Sequence, residues 1–213
     1  MIQVYELIST EELHTSEDFI RAGSKAYCNR DLGKIVKSKR GRPYFLESDF
    51  DFNLTHSMGK MFLACSTQRI GIDVEFTERF TDISSIKRML SSRFFSKQEK
   101  EYFFKNFLLN EKKEDIKKEF LFLWTFHEAL AKACDIPLLE QLAKLNYYEY
   151  FNLLEQKECY QNEYLRCFYI EGNDRWYVTQ SIENTRVLTI CSKEGFFIDK
   201  ERESVKMKLV VSV

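Results

Sequence analysis

The run FLFLWTFHEALAKA, residues 120–133, sets the strongest limit on how this chain can fold. It reads as a helix, bulky and apolar apart from Thr125, His127, Glu128 and Lys132. A helix that is apolar on nearly every face is buried, so its few charges stand at the edge of a packed element. Glu128 and Lys132 are four apart and share a face, with Trp124 one turn earlier. An ordinary Glu-to-Lys surface pair is one reading. The other is that ionised groups at the edge of a core need partners, and a metal for Glu128 and a phosphate for Lys132 would supply them.

A second stretch poses a matching question. In IGIDVEF, residues 70–76, Ile70, Ile72 and Val74 alternate with Gly71, Asp73 and Glu75. Alternation predicts a strand with one apolar face and two carboxylates side by side on the other. Adjacent carboxylates repel unless a cation or a donor lies between them. A solvated strand edge is the plain reading. A hard divalent cation such as Mg²⁺, which takes oxygen ligands and substrate phosphates, is the functional one.

Composition narrows the choices. The 213 residues suffice for one large domain or two small ones, and 19 Phe among 44% hydrophobic residues allow a substantial core. A formal net charge of −1 argues against a bulk nucleic-acid binder. Six cysteines form no CxxC pair and there are only three histidines, so a zinc site is not expected and the thiols read as free, in a cytoplasmic protein. The N-terminus shows no export signal, and no apolar run approaches the ~20 residues a membrane span needs.

Along the chain, IQVYELI predicts a first strand and Thr15-Ser16 a helix start. Residues 21–42 carry Arg21, Lys25, Arg30, Lys34, Lys37, Lys39, Arg40 and Arg42 against Asp31 alone, either a solvated face or a phosphate-binding wall. Gly41-Arg42-Pro43 is a turn signal. MFLACS, joined to IGIDVE through Thr67, Gln68 and Arg69, predicts a hairpin. His56, between Thr55 and Ser57, is expected in an exposed polar loop able to donate to phosphate. Ser96 and Glu99 fit a capping box. EKKEDIKKE reads as a solvated helix end or loop, and CFYI, WYVTQSI, RVLTICS and VKMKLVVSV as strands. Two strand carboxylates, a helix carboxylate, a lysine a turn later and a basic segment form the inventory of a Mg²⁺-dependent phosphoryl-transfer or phosphopantetheinyl-transfer site.

GRPYF, FNLTHS, GIDVE, RFFS with Glu99, and WTFHEALAKA stand in the order and approximate spacing of the 4′-phosphopantetheinyl transferases. From residue 41 to 132 the chain resembles that family, and within it the two-halved, surfactin-synthetase-activating type. The resemblance implies an α+β fold of two similar α/β halves related by a pseudo-twofold axis, residues 1–75 and 76–213, with the active site in the cleft between them. It implies transfer of the phosphopantetheine arm of coenzyme A to a serine of an apo acyl or peptidyl carrier protein, in fatty acid, polyketide or nonribosomal peptide synthesis. Adenosine 3′,5′-bisphosphate would be released. Asp73, Glu75 and Glu128 would gather Mg²⁺, or Mn²⁺ in its place. Glu128 would take the serine proton, directly or through water, and Lys132 would neutralise the pyrophosphate. Thr55 and His56 would contact the phosphates of coenzyme A, and Arg42 its nucleotide end, with Arg21 and Lys25 standing in for a shortened basic helix. A monomer without membrane or nucleic-acid partners is expected, with the Phe-rich residues 94–107 a candidate carrier-docking surface.

Three departures from the family pattern stand out. His127 occupies a position the family usually gives to Lys, Asp135 one usually given to Gly, and only 40 residues precede GRPYF. A catalytically weakened relative that binds carrier protein or coenzyme A is therefore one alternative, and another Mg²⁺-dependent phosphotransfer enzyme is a second.

Overall fold

The computed structural model describes residues 2–7, 15–91, 95–109, 112–138, 145–152, 160–161, 165–170 and 175–193. It is a mixed α/β structure. One antiparallel sheet has the order β1-β5-β4, from β1 (Gln3–Glu6), β4 (Asp51–Ser57) and β5 (Lys60–Ser66). A second has the order β6-β10-β9-β8-β7, from β6 (Ile70–Phe76), β7 (Tyr160–Gln161), β8 (Leu165–Ile170), β9 (Trp176–Glu183) and β10 (Arg186–Ser192). A short ribbon pairs β2 (Ile35–Lys37) with β3 (Pro43–Phe45). The helices are α1 (Ser16–Cys28), α2 (Ile83–Ser91), α3 (Lys97–Phe103), α4 (Lys113–Cys134) and α5 (Tyr147–Asn152).

Side-chain alternation assembles these elements into layers. On β5, Leu63 and Cys65 pack with Phe19 and Ile20 of α1, whereas Phe62 and Ala64 pack with Ile70, Ile72 and Val74 of β6 and with Leu188 and Ile190 of β10. The opposite face of the second sheet, with Val178, Val187 and Cys191, receives α4 through Phe122, Leu123, Phe126 and Ala129. The order is thus α1, first sheet, second sheet, α4.

Both predicted helix starts carry complete capping boxes, Thr15 with Asp18 and Ser96 with Glu99. The helix through residues 120–133 begins earlier, at Lys113, so most of the charged run before it is its first two turns. Ile116 and Lys117 there are buried rather than solvated. VKMKLVVSV, and Arg93 and Phe94 of the RFFS block, lie outside the described residues.

The predicted MFLACS–IGIDVE hairpin does not form. β5 pairs with β4 and β1, and the hairpin is DFNLTHS–KMFLACS, closed by Met58 and Gly59, both at positive φ (50° and 76°). β6 instead gives one edge to β10. Its other edge faces β4 without a backbone ladder, and side chains do that work. The Ile70 amide donates to Asp51 Oδ2 at 2.9 Å, and the Ile72 amide to Asn53 Oδ1 at 3.0 Å. The Ile70 carbonyl accepts from Arg42 at 2.8 Å and the Ile72 carbonyl from Lys132 at 3.3 Å. Buried backbone groups must be paired, and this polar seam pairs them while joining the sheets. The 75/76 boundary expected from the resemblance falls inside β6.

Candidate active site

Gly71 is what brings the helix to the strand. A Cβ there would stand 2.1 Å from the Ala129 carbonyl oxygen and 2.5 Å from the Ala133 amide nitrogen. Only glycine permits so close an approach, and it sets Lys132 directly over Asp73. Lys132 Nζ donates to Asp73 Oδ1 at 2.7 Å and to Thr55 Oγ1 at 3.1 Å, and the Thr55 hydroxyl donates to the same Oδ1 at 2.9 Å. Asp73 Oδ2 is buried with no hydrogen-bond partner. Glu75, two residues on, accepts from the Ser57 hydroxyl at 2.6 Å through Oε2 and is ion-paired through Oε1 with Arg79 of the 3₁₀ turn Thr77–Arg79. Strand, helix and β4 thus meet around two carboxylates.

Glu128 faces the same region, one turn before Lys132. Burial, and then the negative charge of Asp73, push its pKa above the usual glutamate value, with Lys132 and Arg79 opposing the rise. A cleft of about 450 Å³ opens beside it, lined by Arg40, Arg42, Asn53, Glu128, Lys132 and Asp135 among others. Coupled acids, a lysine and an adjoining cleft can bind a phosphorylated ligand and accept a proton from it or from a second substrate.

The residues fit a hard divalent ion in chemistry: the orphaned buried oxygen of Asp73 is a ready oxygen ligand. They do not yet converge. Among the described residues no three His, Cys, Asp or Glu side chains are gathered so as to hold one ion. Each strand carboxylate is bound to a protein cation, Asp73 to Lys132 and Glu75 to Arg79.

The model of the 4′-phosphopantetheinyl transferase superfamily matches residues 69–191, more than half of the chain. The chain belongs to that superfamily. No curated protein matches it. The superfamily match places this phosphopantetheinyl transferase homologue among the transferases. It spans β6 to β10, and so Asp73, Glu75, Glu128 and Lys132, but not Arg21, Lys25, Arg42, Thr55 or His56. Among the described residues no helix is long and apolar enough to cross a membrane.

Several predicted ligand contacts have other partners. His56 lies in β4, not in a loop, and is exposed beside Met61 on the α1 side of the first sheet, opposite Thr55. Arg42 is buried: its Nη2 donates to Asp51 Oδ2 at 2.5 Å and to the Phe52 and Ile70 carbonyls at 2.9 and 2.8 Å, and its Nη1 to the Lys132 carbonyl. Arg21 pairs with Glu17 and the Gly33 carbonyl, and Lys25 with Asp31; neither lines the cleft. Arg40, which lines it, donates to the Asp135 carbonyl at 2.7 Å. In the Phe-rich stretch, Phe95 and Phe103 are core residues and Phe104 is exposed.

His127 points away from the cleft. It is fully buried and lies 2.7 Å from Glu99 Oε1, which also accepts from the Tyr147 amide at 2.9 Å. Glu99 Oε2 takes the Ser96 amide and hydroxyl. Burial opposes ionisation of Glu99, but the His127 bond and charge and these amides outweigh it and hold its pKa below the usual range. This node ties α3, α4 and α5 together. Gly71, Ser57 and Arg79 shape the surroundings of Asp73 and Glu75 and were not singled out by the sequence as site residues. The lone glycine in an alternating strand was the available signal.

Proposed function

We propose that this protein transfers the phosphopantetheine arm of coenzyme A to a serine hydroxyl of an apo acyl or peptidyl carrier protein, as a surfactin-type, two-halved monomeric enzyme. The observation that carries the reading is the contact of Lys132 of α4 with Asp73 of β6 and Thr55 of β4, beside a cleft that Lys132 and Glu128 both line. The two sheets, each covered by a helix, are compatible with the two halves.

The serine oxygen attacks the β-phosphorus of the coenzyme A pyrophosphate. The bond from that phosphorus to the bridging oxygen breaks, and adenosine 3′,5′-bisphosphate departs. Glu128, with a raised proton affinity, takes the serine proton. Lys132 is held on Asp73 and within reach of the cleft, where it offsets charge on the leaving phosphate. Asp73, Glu75 and Glu128 would hold Mg²⁺, or Mn²⁺, which when bound lowers the repulsion between pyrophosphate oxygens and the incoming nucleophile. Thr55 positions Asp73 and Lys132. Arg42 clasps the Lys132 backbone and the strand seam, so its role is positioning. Arg40, at the cleft wall, is better placed than Arg21 or Lys25 to meet the nucleotide end.

Intact-mass analysis of several apo carrier proteins, incubated with this protein, coenzyme A and Mg²⁺, tests the reading. A metal-dependent gain of one phosphopantetheine, abolished by chelator, is expected. Coenzyme A binding with no gain on any carrier would instead favour a weakened, carrier-binding relative.

A further inference from the structure

The two strand carboxylates are not equally available. Asp73 engages Lys132 and Thr55 through Oδ1 only, leaving Oδ2 free. Glu75 has neither oxygen free, because Arg79 holds one and Ser57 the other. The Arg79 side chain is 46% exposed, whereas that of Glu75 is 7% exposed. The guanidinium can therefore withdraw into water while the carboxylate stays in place. Its anchor does not depend on the ion pair: the Thr77 amide bonds the Thr185 carbonyl at 2.8 Å and the Phe80 amide bonds the Thr77 carbonyl at 3.2 Å. A second resting place is at hand, since the guanidinium carbon already lies 5.9 Å from the centre of the Phe80 ring.

We propose that Arg79 is a displaceable counter-ion that competes with the divalent metal for Glu75, keeping the carboxylates apart until the ion enters. The proposal rests on the metal-assisted reading above. It accounts for acids that share one region of the fold without gathering around one point. Without a cation, Asp73, Glu75 and Glu128 would repel one another at the edge of a low-dielectric core. Lys132 and Arg79 supply that charge from within the chain, and withdrawal of Arg79 frees Glu75 Oε1 for an ion while Ser57 keeps Oε2.

The test is a titration of the protein with Mn²⁺, the free ion counted by electron paramagnetic resonance, so that no turnover is needed. Arg79→Met keeps the stem over Phe80 and removes the charge; Arg79→Lys keeps a cation. Arg79→Met is expected to bind Mn²⁺ about fivefold more tightly than the native protein, the size expected when a part-exposed ion pair no longer has to break. Arg79→Lys should stay near the native value. Adding Glu75→Gln should erase the gain. Circular dichroism melts of each variant check folding. Equal or weaker binding by Arg79→Met, with Glu75→Gln still weakening the native protein, overturns the competition and leaves the metal site standing. No binding by any of the five proteins, whatever residue 75 is, overturns both.

Discussion

Helix α4 carries charge on two sides, and the two sides are built differently. Toward α3 and α5, His127 meets Glu99 with both side chains fully buried, and Glu99 has a donor for each oxygen. Toward β6, Lys132 holds Asp73 beside a cleft that Lys132 and Glu128 line; one Asp73 oxygen has no donor and the Glu128 proton affinity is raised. A fully satisfied carboxylate locked on a buried imidazole, whose other ring nitrogen has no partner, makes a strut; a half-satisfied carboxylate beside a cleft leaves capacity for a ligand. The contrast predicts that the buried side governs stability and the cleft side governs transfer.

Breaking the strut gives the largest stability effect. Glu99→Ala leaves the His127 ring and the Tyr147 amide buried without an acceptor and is expected to cost about 3–5 kcal/mol, read as a fall in the urea midpoint. The native contribution of Glu99 has a defined pH window. Its folded pKa is depressed, so its contribution is present above the ordinary 4.5 and is lost as pH falls through the lower folded value.

Gly71→Ala tests the link between the two sides. The added Cβ meets helix backbone rather than a flexible side chain, so α4 must shift. A loss of roughly 1–3 kcal/mol is expected, with transfer falling as Lys132 leaves Asp73. Normal transfer in a destabilised Gly71→Ala protein would separate fold from site.

Asp135→Gly sharpens the comparison from the far end of α4 with the smallest effect. Asp135 terminates the helix at φ 53°, ψ 47°. Glycine adopts that conformation without a side-chain clash, so a gain of about 0.5–1 kcal/mol is expected by thermal melting, with the Arg40 bond to its carbonyl retained.

How much of this was legible in sequence differs between the same regions. Alternation in IGIDVEF reports faces, and Asp73 and Glu75 do share one. Alternation does not report a strand's partner, which is why β5–β6 was misread as a hairpin. The capping box showed where α3 starts, but not that Glu99 has an oxygen left to receive His127. Arg42 reads as a contact for the nucleotide end of coenzyme A, and nothing in the sequence singles out Arg79. Burial of the first in the seam and docking of the second on Glu75 depend on elements far apart in the chain. His56 was placed by its hydroxyl neighbours in a loop, whereas strand alternation turns it to the opposite face from Thr55.

Glu128→Gln gives the most direct measurement. Transfer to an apo carrier protein, followed by intact mass, is expected to fall about 10²–10⁴-fold. Stability should move the other way. The raised pKa means that ionised Glu128 costs stability above the ordinary 4.5, so the metal-free variant should melt higher at neutral pH and lose that advantage in acid. A well-folded Glu128→Gln protein without transfer, melting at or above the native temperature, is the predicted result. A variant that transfers at the native rate, or that fails to fold as Glu99→Ala is expected to, would contradict the division between a structural side and a catalytic side of α4.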